Sequence, residues 1–134
     1  SLEPALAFAE TELWMGDTPG VPSELRLPVP PVTRLLELDA EHGSEIVLRA
    51  GARSLTTMAR HRMVRDERFK LVYMPTRDRA IYRLYDTKAD PNELSDVAAA
   101  QPILVQRLQA ELWKWLLADK TLSRRGDYVV PVGP

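Results

Sequence analysis

The chain has 134 residues, 45% of them apolar and 28% charged, a balance that fits one globular domain and argues against global disorder. Eighteen basic against nineteen acidic residues leave a formal net charge of -1, too little field to mark a nucleic-acid partner, and no run of about 18 apolar residues exists to form a membrane-spanning helix. The absence of cysteine excludes disulfides, a cysteine nucleophile and thiolate metal sites, and leaves the compartment open.

In chain order, Ser1-Leu2-Glu3-Pro4 lacks the basic region and apolar core of a signal peptide and is expected to begin a piece of a longer chain. Ala5 to Ala9 reads as a short buried strand or an alanine-rich helical turn. Residues 16–31 hold five of the eleven prolines and two glycines, so they should be extended loop. So long an irregular stretch is uncommon inside a domain. It is expected to lie across another domain or a second copy.

Val32 to Leu38 reads as a short helix, His42-Gly43-Ser44 as a break and Glu45 to Leu48 as a short strand. Leu55 to Val64 reads as a strand, followed by a polar hairpin loop at Arg65-Asp66-Glu67-Arg68. Phe69 to Met74 alternates, with Phe69, Leu71 and Tyr73 on one face and Lys70, Val72 and Met74 on the other. A second turn, Pro75 to Arg79, leads to Ala80 to Tyr85, where Tyr82 and Leu84 oppose Ile81, Arg83 and Tyr85. This is an antiparallel meander.

After a turn-rich stretch from Asp86 to Asp96, Pro102 opens a helix that should end near Asp119. Its apolar side is read as Ile103, Leu104, Leu108, Leu112, Trp115 and Leu116, with Trp115 in the core and Trp113 partly exposed. That helix is the natural cover for one face of a small sheet. Tyr128 to Val130 either adds a strand or docks loosely. The fold class is therefore α+β, an antiparallel sheet of about four strands under a long C-terminal helix.

Candidate chemistry is sparse. His42 and His61 stand nineteen positions apart with no second histidine beside either, which does not suit a metal pair. Glu10 and Glu12 would share a strand face, with Asp17 nearby. Asp86, Asp90, Glu93 and Asp96 cluster in one loop, but without the spacing of a calcium loop, so turn and cap chemistry is the expected use. No G-x-S-x-G elbow and no phosphate loop is present. Basic residues at 60, 62, 65, 68, 70, 77, 79 and 83 interleave with Phe69, Tyr73, Tyr82 and Tyr85, a pattern that suits either a solvated strand face or an anion site.

Three pieces recur in order: Arg65-Asp66-Glu67-Arg68-Phe69-Lys70-Leu71-Val72-Tyr73, then Leu84-Tyr85-Asp86-Thr87, then Asp90-Pro91-Asn92-Glu93, ahead of a helix that opens with proline. From Arg62 to Leu117 the chain resembles the C-terminal subdomain of the sulfatase family, in the alkaline-phosphatase-like superfamily. Ala7-Phe8-Ala9-Glu10-Thr11-Glu12 also resembles the strand that precedes that subdomain. Thr87, where the family has an aliphatic residue, and Glu67, where it often has glycine, depart from the pattern.

The resemblance implies a missing α/β catalytic domain that carries a formylglycine nucleophile and a calcium ion. This chain has no counterpart of either, so no catalytic, cofactor or metal residue carries over, and the chain alone is expected to be non-catalytic. The residues that match, Arg65, Asp66, Lys70, Leu84, Tyr85, Asp86, Asp90, Pro91 and Glu93, are expected to be scaffold. Residues 1–38 are read as a linker-like segment with a strand at 6–12, and residues 39–134 as the subdomain. The expected partner is the catalytic domain, with a homo-oligomer when isolated. The rival expectation is a free-standing anion- or glycan-binding module.

Overall fold

Strands with alternating apolar side chains make the centre of the molecule. The computed structural model describes residues 5–13 and 17–133, apart from the side chains of Glu12 and Leu13. In chain order the elements are β1 (Ala7–Leu13), α1 (Val32–Leu35), β2 (Leu36–Asp39), β3 (Glu45–Leu48), α2 (Arg53–Met58), β4 (Arg60–Arg65), β5 (Phe69–Pro75), β6 (Ala80–Asp86), α3 (Pro102–Ala118), β7 (Leu122–Arg125) and β8 (Tyr128–Pro131). The class is α+β: an antiparallel sheet in the order β1-β4-β5-β6, with the 17-residue α3 packed on β4 and β5. The pairs β2–β3 and β7–β8 are separate hairpins.

Strand register explains the core. Phe8, Val64, Leu71 and Leu84 are successive cross-strand partners, and so are Glu10, Arg62, Tyr73 and Tyr82. Side chains two apart along a strand share a face, so both rows point to the α3 side. Val64, Leu71, Tyr73 and Leu84 are fully buried there against Leu108, Leu112, Trp113 and Leu116 of α3 and Val129 of β8. Burying each such aliphatic side chain contributes about 1.5–3 kcal/mol.

Two expectations for α3 are corrected. Trp113 is the buried tryptophan, at 4% exposure, while Trp115 is 38% exposed and stacks on Phe8 with ring centroids 4.9 Å apart. The two rings leave the buried stripe on opposite flanks. The β7–β8 hairpin and Tyr82 cover the Trp113 flank: Arg124 lies over its ring at 4.1 Å, and its Nε1–H donates to the Tyr82 hydroxyl at 2.9 Å. Ile103 is 81% exposed, because at roughly 100° per residue nine positions separate it from Leu112 by half a turn.

The strand expected at Leu55 to Val64 is also corrected. Its first part is helix α2, and only Arg60–Arg65 is strand. The Thr56 hydroxyl bonds back to the Ala52 carbonyl at 3.0 Å inside α2, and α2 packs on β8. Likewise, Val32 to Leu38 divides into α1 and β2, because β2 finds a partner in β3, with Leu36 opposite Leu48 and Leu38 opposite Ile46. The residue-38 boundary thus falls inside β2. The tail does more than add one strand: β8 pairs with β7, a strand not expected from the local pattern.

The proline-rich segment crosses the chain's own sheet, on the face away from α3. Thr18-Pro19-Gly20-Val21 is a turn closed by the Val21 N–H to the Thr18 carbonyl at 3.0 Å. Gly20 has φ 75°, the left-handed value a type II turn requires after proline. A Cβ there would meet Arg83 Nη2 at 3.0 Å, and Arg83 itself donates to the Pro19 carbonyl. Farther on, the Arg77 N–H donates to the Leu25 carbonyl at 2.6 Å.

Candidate functional site

The residues that carry the family resemblance come together at the ends of β5 and β6. Asp66 accepts from the Arg68 and Phe69 N–H groups at 2.8 and 2.7 Å, closing the hairpin loop. Arg107 of α3 reaches the same carboxylate at 3.4 Å. Arg68 grips Asp86 across the strands, with Nη2 to Oδ2 at 2.7 Å. The Asp86 carboxylate also accepts from the Lys88 and Ala89 N–H groups. These bonds, the Arg68 bond foremost, hold its carboxyl at about 2, below the ordinary 3.8.

The loop after β6 is fastened in the same way. Asp90 accepts from the Leu94 and Ser95 N–H groups at 3.0 and 2.9 Å, around Pro91. Glu93, in the left-handed region with φ 54°, ion-pairs with Lys70 at 2.8 Å. Asp96 accepts from the Leu84 and Ala98 N–H groups, tying the loop to β6. Arg65 lies by Thr87 and the Asp66 carbonyl, each at 3.5 Å. Leu84 is core, and Tyr85 sits opposite Lys70 in the register, half-buried.

This set does not fit a calcium site. A hard cation takes six to eight oxygen ligands, but the five carboxylates, Asp66, Asp86, Asp90, Glu93 and Asp96, are committed to N–H donors or cations. Among the described residues, no group of three His, Asp or Glu side chains could hold a metal ion. Glu10 is committed too, to Arg60 at 2.9 Å and Arg62 at 3.3 Å. The Glu12 side chain, the other half of that expected pair, lies outside the described residues. His42 Nδ1 sits 2.7 Å from Asp39 Oδ2 beside a tight turn, far in sequence from His61.

Most of the interleaved basic residues have partners within the chain. Arg60 and Arg62 share Glu10, Arg68 holds Asp86, Lys70 holds Glu93 and Arg83 holds the Pro19 carbonyl. Arg77 and Arg79 are the exceptions: both are exposed, and neither guanidinium has a hydrogen-bond or ion-pair partner among the described residues.

Arg77 lines a cavity of about 290 Å³ on the face opposite α3. One wall is the 18–29 segment, with Thr18, Ser23 and Arg26; the other is the end of the sheet, with His61, Met74 and Thr76. Burial lowers the pKa of His61, favouring the neutral ring. Arg26 pairs with Asp17, whose side chain is 90% exposed. Among the described residues, no carboxylate side chain lines the cavity. The sequence places Arg77 in the basic meander and offers His61 as a lone histidine, but nothing in it joins either to the 18–29 segment, since the two walls are distant in the chain.

No protein-family model and no curated protein matches the chain. A solved structure from Bacteroides fragilis, described as a candidate sulfatase, is similar in part: the likeness covers 46% of this chain and 13% of that one, at 24% identity and a TM-score of 0.41.

Proposed function

We propose that this chain is the C-terminal accessory subdomain of a sulfatase-like hydrolase of sulfuric esters, with no nucleophile or metal site of its own. The supporting observation is how the residues of the resemblance are used. Asp66, Arg68, Lys70, Asp86, Asp90 and Glu93 spend their polar groups on fastening β5, β6 and the following loop to one another. That is scaffold work, and it leaves no poised acid, base or nucleophile there. Residues 39–134 form most of the subdomain, and residues 1–38 lead into it while supplying β1 and most of β2. The catalytic α/β domain supplies the formylglycine and the calcium ion.

The contact with that domain includes the β2–β3 hairpin. Leu38 and Ile46, cross-strand partners, are 68% and 70% exposed, and Leu48 beside them is 42% exposed. An isolated two-stranded hairpin is marginal in water, and an apolar face of this kind suits a larger covering surface. Without its parent, the chain self-associates through it.

The coding DNA upstream of Ser1 tests the reading. An open frame of several hundred codons containing C/S-x-P-x-R and an early Asp pair supports it; a start codon just before Ser1 removes it. The chain alone, assayed with an aryl sulfate and calcium, should show no turnover.

A free-standing anion-binding module is the second reading, favoured by the cavity between Arg26 and Arg77. Strong salt-dependent retention on heparin would put it ahead; a net charge of -1 predicts weak retention.

A further inference from the structure

The β2–β3 hairpin carries charge of one sign. Residues 36–48 hold Glu37, Asp39, Glu41 and Glu45 and no Lys or Arg. Asp39 is paired with His42, and Glu37 lies 3.9 Å from Arg49 at the base of the hairpin. Glu41 and Glu45 are exposed, and neither carboxylate has a hydrogen-bond or ion-pair partner among the described residues. Asp39 and Glu45 are also cross-strand partners, and like charges placed opposite each other destabilise a ladder. The next pair along the ladder is the exposed Leu38 and Ile46. The hairpin is thus an apolar surface with an acidic tip, and its internal repulsion is relieved by a cationic neighbour.

The opposite charge gathers at the turns after β5 and β7. Residues 76–80 and 124–128 hold Arg77, Arg79, Arg124 and Arg125 against Asp78 and Asp127. The two turns are bound to each other: the Tyr128 hydroxyl donates to the Thr76 carbonyl at 2.7 Å, and the Ala80 N–H donates to the Asp127 carboxylate at 3.1 Å. Asp78 accepts from the Thr76 hydroxyl at 2.9 Å, and Arg124 lies over Trp113. Arg77, Arg79 and Arg125 are exposed, with no partner for their guanidinium groups among the described residues. Arginine stems cover apolar surface while their heads stay polar, and the guanidinium fork matches a carboxylate. This end therefore suits a surface that is apolar and acidic together.

We propose that isolated chains associate head to tail, the β2–β3 hairpin of one copy lying on the Arg77, Arg79 and Arg125 end of the next. Glu41 and Glu45 meet the guanidinium heads, and Leu38 and Ile46 meet the stems. This geometry rests on the self-association proposed above and gives it a direction. Such a contact joins two different patches, so it does not close on a pair of copies and produces a series of oligomers. One hairpin offers less than the ~1,200 Å² of a stable interface, so the contact is weak, with a Kd on the order of 0.1 mM.

The test is light scattering of the full 134-residue chain. Raising salt from about 0.01 M to about 1 M cuts the screening length from about 30 Å to about 3 Å, and should weaken association at least about tenfold. Two charge-reversed variants sharpen the result, one carrying Arg77→Glu with Arg79→Glu and the other Glu41→Lys with Glu45→Lys. All four positions are exposed, so both variants stay folded. Each alone should be monomeric, because its hairpin and its turns then carry like charge. Mixed in equal amounts they should associate again, since every contact between unlike copies pairs opposite charges. Association of the native chain that salt leaves unchanged or strengthens, native-like association of the arginine-reversed variant alone, or a mixture no heavier than its parts overturns the head-to-tail geometry and leaves self-association standing. A native chain that is monomeric at both salt concentrations overturns both.

Discussion

Arg62 Nε lies 3.3 Å from Glu10 Oε2, although the two residues are 52 positions apart. The arginine side chain is 1% exposed, and it also donates to the Thr57 carbonyl at 2.8 Å and the Arg60 carbonyl at 3.3 Å. One guanidinium thus joins β1, β4 and the end of α2. A buried cation stripped of its counter-charge is strongly destabilising, and partial exposure of Glu10 moderates that cost. Glu10→Ala should lower stability by about 2 kcal/mol, and Glu10→Gln by less, in urea unfolding. A loss under about 0.5 kcal/mol would mean that water serves Arg62 equally well.

Asp86 sets an acid limit on the β5–β6 clasp. Its folded-state pKa is depressed to about 2 from 3.8, chiefly by the Arg68 hydrogen bond. The charged form is therefore favoured by folding. Its stabilisation is complete above the ordinary carboxylate range and is lost as pH falls through about 4 toward 2. The thermal midpoints of the native chain and of Asp86→Asn should differ near neutral pH and converge toward pH 2. A gap that stays constant with pH would show that the Arg68 bond does not depend on the carboxylate's charge.

The two tryptophans should separate cleanly. Trp113→Ala removes a buried ring, its bond to Tyr82 and its contact with Arg124, and should cost about 3–5 kcal/mol. Trp115→Ala removes one stacked partner of Phe8 at a half-exposed site and should cost about 1–2 kcal/mol. Comparable losses in chemical denaturation would contradict the burial assignment.

Self-association should follow the β2–β3 hairpin. Ile46→Lys places a charge at a 70% exposed position, so the monomer's stability should change by less than about 0.5 kcal/mol. The native chain should gain mass with concentration in light scattering, and Ile46→Lys should stay monomeric. A monomeric native chain at high concentration would remove the homo-oligomer from the proposal.

The sequence by itself determined the meander of β5 and β6, the length of α3 and the α+β class. Alternation at Phe69–Pro75 and Ala80–Asp86 and the spacing of Leu104, Leu108, Leu112 and Leu116 are local periods, readable without knowing any neighbour. Asp66, Asp90 and Asp96 were legible as turn residues for the same reason, since most of their bonds are to N–H groups a few residues away.

Only the tertiary structure decided the rest. Leu55 and Met58 suit a helix or a strand equally. Helix α2 stands where it packs on β8, and strand β4 where β1 and β5 pair with it. Whether Trp113 or Trp115 entered the core depended on which flank β7–β8 came to cover. The burial of Arg62 with Glu10, and the cavity between the 18–29 segment and the end of the sheet, join residues that no local period relates. Periodicity shows how a segment divides its own faces; which face is buried, and against what, is set by contacts between segments distant in the chain.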